Sequence, residues 1–128
     1  MAEKFRIGIT RDNLKPDGEP LFDRSSLGIL DDPRIEWEFL PQLEAELSPE
    51  TAAKYDALAV MLAKITRRTV SGPERRVKLI ARFGVGYDTV DVAALTDNGV
   101  ILTITPDGVR RPVASSALTF VLMLAHRV

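Results

Sequence analysis

Apolar positions fall along this chain in short runs of strand length, separated by turn-rich or helix-patterned segments. Lys4-Phe-Arg-Ile-Gly-Ile-Thr10 alternates and then runs apolar, which predicts a first strand with Arg11 and Asp12 at its carboxyl end. Lys15-Pro-Asp-Gly-Glu-Pro20 reads as a loop, Ser25 to Leu30 as a short helix, and Asp31-Asp-Pro33 as a break. Ile35-Glu-Trp-Glu-Phe-Leu40 alternates cleanly, as a half-buried second strand does. Ser48-Pro49-Glu50 supplies an N-cap, a proline suited to the first helical position and a first-turn acid, so a helix is predicted from Leu47 to Lys54. Ala57 to Leu62 is continuously apolar, the signature of a strand buried on both faces. Gly72-Pro73 limits any helix between Thr69 and Arg75 to short pieces. Val77-Lys-Leu-Ile-Ala81 reads as a fourth strand and Val100-Ile-Leu-Thr103 as a fifth, with a helix capped by Asp91 between them. From Pro112 onward a last helix is apolar almost all round.

Strands linked by helices or crossovers predict an α/β fold: a flavodoxin-like five-stranded parallel sheet with helices on both faces, plus a C-terminal apolar linking helix. Ligands of such sheets gather beyond the carboxyl ends of the strands. The segments ending in Met61-Leu62-Ala63-Lys64, in Arg82-Phe83-Gly84-Val85-Gly86 and in Thr105-Pro106 all place their loops on that edge. The middle one carries the most information, because two glycines one residue apart follow a strand and precede a capped helix. Glycine lets backbone approach a ligand closely, and each N–H donated to a charged oxygen is worth roughly 1.5–3 kcal/mol. Spacing alone leaves two readings open, a small-anion pocket and a tight strand-to-helix turn without a ligand.

Composition narrows the class. With 128 residues, 45% of them hydrophobic, one core is expected, and a net charge of -1 gives no broad attraction to nucleic acid or an anionic membrane. Binding therefore rests on local groups. The chain has no cysteine, which removes disulfides and thiol chemistry, and no metal site is expected. Met1-Ala-Glu-Lys leads into a strand without an apolar signal core, and a cytoplasmic location is expected. The apolar stretch after Pro112 is shorter than the roughly 20 residues of a bilayer span and is interrupted by Ser115, Ser116 and Thr119. His126 beside Arg127 fits a cation at a helix C-terminus.

Gly84-x-Gly86-x-Asp88-x-Val90-Asp91 resembles the turn that ends the substrate domain's sheet in the D-isomer-specific 2-hydroxyacid dehydrogenases. The family includes phosphoglycerate dehydrogenase, glyoxylate/hydroxypyruvate reductase and formate dehydrogenase. Tyr55 to Thr66 resembles the family's third strand and following loop, and Gly99 to Pro106 its fifth strand. Asp107 to Ser116 resembles the loop entering the long helix towards the cofactor domain. Two positions depart: Ile104 stands where asparagine is common, and Ser115 where glutamate is common. The Gly84 turn is not a dinucleotide fingerprint, since Thr89 takes the place of the third glycine.

The resemblance implies the N-terminal portion of an NAD- or NADP-dependent oxidoreductase acting on a small D-2-hydroxy or 2-keto acid. On this expectation residues 1–106 form the substrate-binding domain, and 107–128 lead to a cofactor domain not present in the chain. Val85 and Gly86 would meet substrate through backbone N–H groups, Lys64 would offer it a positive charge, and Met61 and Leu62 an apolar wall. Val85 and Val113 would lie near the nicotinamide. Ordinary core packing or solvation is the competing account of Met61, Leu62, Lys64 and Val113. Arg82 is expected to brace the loop. No residue here answers to the family's catalytic arginine, glutamate and histidine, and a homodimer is implied for the full-length protein. The alternative is a stand-alone flavodoxin-like module that binds a small ligand or partner without chemistry. A phosphate-accepting receiver domain is excluded, since Met61-Leu62 stands where its aspartate would end the third strand.

Overall fold

The computed structural model describes residues 3–128. Met1 and Ala2, which head the segment read as having no signal core, lie outside the described residues. Among those residues the strands are β1 (Phe5–Ile9), β2 (Ile35–Phe39), β3 (Ala57–Val60), β4 (Leu79–Arg82) and β5 (Ile101–Thr103). They form one parallel sheet in the order β2-β1-β3-β4-β5, the doubly wound arrangement expected from strands that alternate with crossovers.

Side chains alternate across each strand, so the two faces of the sheet have different fates. Leu58, Val60 and Ile80 turn to one face, with Leu102 partly buried beside them. Against them pack Ala52, Val70, Ala94 and Leu95, from α1 (Pro49–Ala52), α2 (Arg67–Val70) and α3 (Val92–Asp97). Among the described residues, the other face, with Ile7, Ile9, Ala57, Ala59, Leu79 and Ala81, meets a 3-10 helix, Arg24–Leu30, and the Phe22 and Phe83 rings. An apolar hollow of about 530 Å³ remains between that helix and the strands. Helical segments thus lie on both sides, unequally.

The helices are shorter than their sequence signals suggest, for local reasons. Ser48 caps α1 by accepting the Thr51 N–H (3.2 Å), but the Ala52 carbonyl accepts the Arg76 and Val77 N–H groups, so the helix ends after one turn. Helix α2 begins at Arg67 rather than Thr69, because the Thr66 N–H donates to Thr69 Oγ1 (3.1 Å) and that hydroxyl donates to the Leu47 carbonyl (2.7 Å). Asp91 caps α3 through the Ala94 N–H (2.8 Å), and Gly99, with φ of 63°, ends that segment in a left-handed conformation.

The largest departure is the last helix, α4 (Pro106–His126). Residues 107–111 are helical rather than loop, since Pro106 at the first helical position and Asp107 in the first turn favour an early start, and Pro112 is accommodated inside. Its apolar side chains stay in solvent, with Val113, Phe120 and Leu124 at 64%, 63% and 80% exposure. Among the described residues no helix is long and apolar enough to cross a membrane.

Ile80 is fully buried at the centre of the packed face. Ile80→Ala is expected to cost about 2–5 kcal/mol, read as a lower denaturant midpoint at an unchanged slope.

Candidate functional site at the carboxyl rim of the sheet

Strand pairing brings the loops after β3, β4 and β5 to one place. The register sets Val60 beside Arg82 and Ala81 beside Thr103, and the Phe83 N–H donates to the Val60 carbonyl (2.8 Å). Beyond this point the β3 and β4 loops separate and then rejoin. The Ile65 N–H donates to the Thr89 carbonyl (2.9 Å), and the Asp91 N–H to the Ile65 carbonyl (2.8 Å). Residues 61–64 and 84–88 are therefore held side by side between two fixed points.

The glycine bend is clamped from β5. Thr105 Oγ1 accepts the Gly84 N–H (2.7 Å), and the Gly84 carbonyl accepts the Thr105 N–H (2.9 Å), so both backbone groups of Gly84 are used internally. Gly84 has φ of 127°, a conformation that L-residues rarely adopt. The Val85 and Gly86 N–H groups, one and two residues on, have no partner among the described residues, and both residues are exposed. On the sheet's open face the Phe83 ring stacks on Phe22 (5.7 Å between centroids), which fixes how the strand enters the bend. The Arg82 guanidinium folds back over it, with Nη1 2.9 Å from where a Cβ on Gly84 would lie.

Each residue predicted from the sequence has a definite place. Met61 and Leu62 lie in the turn after β3 rather than in the strand, Met61 half-buried and Leu62 65% exposed. Lys64 has its N–H and carbonyl paired with Ala45 and Leu47, and its side chain is exposed. It lines a shallow hollow of about 370 Å³ with Thr66, Asp88, Thr89 and Asp91, so its charge has acidic neighbours. Val113 lies two turns into α4, in a hollow lined by that helix alone, apart from Lys64 and the glycine bend.

Three residues that matter here were not among the candidates. Thr105 clamps Gly84, while Thr10 and Asp12 at the end of β1 hold the turn after β3. A threonine before the proline that opens a helix was the only sequence signal for Thr105. The pairing of Asp12 with Leu62, fifty positions apart, left none.

Tyr55 and Asp56, at the opposite end of β3, have displaced acidity. Burial pushes the Tyr55 hydroxyl up to about 12, helped by its hydrogen bond to Glu38. Burial acts to raise Asp56, but the Arg76 guanidinium (2.9 Å) and the Arg6 N–H (2.8 Å) hold its carboxyl below the ordinary carboxylate value. These belong to an ion-paired edge that fastens β3, not to the rim. Among the described residues no group of three or more metal-binding side chains comes together.

Fold and rim together define a doubly wound α/β domain with exposed, unpartnered main-chain N–H groups at its carboxyl edge. The chain belongs to the D-isomer specific 2-hydroxyacid dehydrogenase family of oxidoreductases, whose catalytic domain it matches over residues 11–117. It is 33% identical over 92 residues to a glyoxylate reductase of Thermococcus onnurineus, covering 72% of this chain and 28% of that protein. It is 33% identical over 86 residues to a D-3-phosphoglycerate dehydrogenase of Synechocystis, covering 66% of this chain and 15% of that one. The chain thus spans less than a third of the length of each of these relatives. An NAD-dependent formate dehydrogenase from Staphylococcus aureus, solved in complex with NAD, shares the fold at a TM-score of 0.69 and 18% identity, over 94% of this chain and 38% of that one.

Two substitutions separate the causes of the bend. Thr105→Val leaves the Gly84 N–H without its acceptor and is expected to cost about 1–2 kcal/mol, with faster exchange of that amide. Gly84→Ala is expected to cost about 1–3 kcal/mol through its positive φ, since the Arg82 side chain can move away from an added methyl. Thermal denaturation measures both.

Proposed function

We propose that this chain is the substrate-binding portion of an NAD- or NADP-dependent dehydrogenase that moves a hydride between a nicotinamide and the C2 carbon of a small D-2-hydroxy or 2-keto acid. The supporting observation is the pair of unpartnered N–H groups at Val85 and Gly86, at the rim where ligands of this fold collect. Residues 1–106 hold the substrate, and 107–128 lead to the cofactor domain. The substrate carboxylate accepts from the Val85 and Gly86 N–H groups, Lys64 adds positive charge, and Met61 and Leu62 border the carbon chain.

The bound nicotinamide supplies or accepts the hydride, and the exposed apolar side chains of Val85 and Val113 suit contact with its ring. Proton transfer needs a group within hydrogen-bond reach of the moving proton, and the only histidine, His126, ends α4 away from the rim. The role of these residues is to bind and orient. The relatives' names and the NAD in the formate dehydrogenase support a keto-acid substrate and a nicotinamide cofactor. The uncovered apolar face of α4 supports a homodimer in the longer protein.

Two measurements test this reading. Titrating the isotope-labelled chain with pyruvate is expected to shift the Val85 and Gly86 amide resonances saturably, and Gly86→Pro, which removes one donor, to weaken binding by about tenfold. Unmoved amides at saturating pyruvate would overturn the cradle. The 128-residue chain is expected to oxidise no NADH with glyoxylate or hydroxypyruvate; turnover by the purified chain would place a proton-transfer group within it.

A further inference from the structure

The turn after β3 is held by side chains from the end of β1. Thr10 is 2% exposed, and its own N–H donates to the Ala59 carbonyl (2.9 Å), so it is fixed to the sheet. Its hydroxyl donates to Asp12 Oδ1 and accepts the Met61 N–H (3.3 Å). Asp12 Oδ2 accepts the Leu62 N–H (2.7 Å). Fully buried Asn13 donates through Nδ2 to the Thr10 carbonyl and hydroxyl, both at 3.1 Å, which completes the support beneath them. Two successive amides of the turn are thereby committed to Thr10 and Asp12.

We propose that Asp12 is a positioning residue for substrate: by holding the Leu62 amide, with Thr10 holding that of Met61, it sets the 61–64 loop against the glycine bend so that a 2-keto acid is gripped from both sides. The inference rests on the carboxylate cradle proposed above. It goes beyond that reading because Asp12 touches no ligand and acts only through the loop. The turn has no repeating pattern of its own to hold it, and the next fixed point, the Lys64 backbone, lies two residues on. A bond from an amide to a carboxylate is about twice as strong as one between neutral groups, so this single contact dominates the order of the turn. It also decides what the loop offers: with both amides spent inside the fold, Met61 and Leu62 present side chains, not N–H donors, to the cleft.

Amide exchange and pyruvate titration on the whole labelled chain test the proposal together. Asp12→Ala is expected to speed exchange of the Leu62 amide by about tenfold or more while the Ile80 amide in the core stays protected. The same variant is expected to weaken pyruvate binding by roughly threefold to tenfold, with the Val85 and Gly86 resonances still responding at higher ligand concentration. Asp12→Asn, whose side-chain oxygen can still accept the Leu62 N–H but as a neutral group, is expected to recover about half of both losses, which a general loss of stability would not do. Pyruvate affinity unchanged in Asp12→Ala would overturn the positioning role and leave the cradle standing. Leu62 exchange unchanged in that variant would overturn it on structural grounds. A wild-type chain whose Val85 and Gly86 amides ignore pyruvate would remove the cradle itself, and the role of Asp12 with it.

Discussion

Gly84 and Thr105 tie β4 to β5 at the point where both strands end, and the geometry of the rim follows from that tie. A glycine bend left to itself samples many conformations, and its N–H groups point nowhere in particular. Here the hydroxyl and backbone N–H of Thr105 occupy both hydrogen-bonding groups of Gly84. Gly84 turns with positive φ, and the Val85 and Gly86 N–H groups that follow have no partner among the described residues. Because the tie is made within the sheet, the bend is held by the fold itself, and a ligand accepting from those amides would cost little further ordering of the chain.

The three loops of the rim differ in how they are held. The β4 loop is fixed by backbone and a threonine hydroxyl from β5, and the β3 loop by a threonine and a carboxylate from β1. Further out, the Ile65 and Thr89 backbones rejoin the first two. The supports from β1 and β5 come from neighbouring strand ends, as the order β2-β1-β3-β4-β5 requires, while Ala45 and Leu47 hold the Lys64 backbone from the connection after β2. Along the β4 loop the amides of Phe83 and Gly84 have partners, and those of Val85 and Gly86 have none among the described residues.

Strands were legible in the sequence because short apolar runs such as Ala57 to Val60 have few other ways to be buried. Caps were legible at Ser48 and Asp91, where residue type and position coincide. Helix lengths were not, because they depend on distant groups: the Ala52 carbonyl is taken by Arg76 and Val77, which no local pattern announces. The start of α4 was misplaced because Pro112 looks like a beginning when Pro106 already serves as one. At the rim, residue type pointed to the glycine bend, while the division of its amides into used and unused depended on Thr105, twenty-one positions away.

Thr105 is also the residue from which α4 departs, since the helix begins at Pro106. A straight helix of 21 residues is a rod about 30 Å long, and this one meets the sheet at its root. Whatever grips the far end of that rod works a lever whose fulcrum lies beside the glycine bend. The residue that clamps Gly84 is thus the last one before the rod, so Thr105 joins the glycine bend directly to the root of α4.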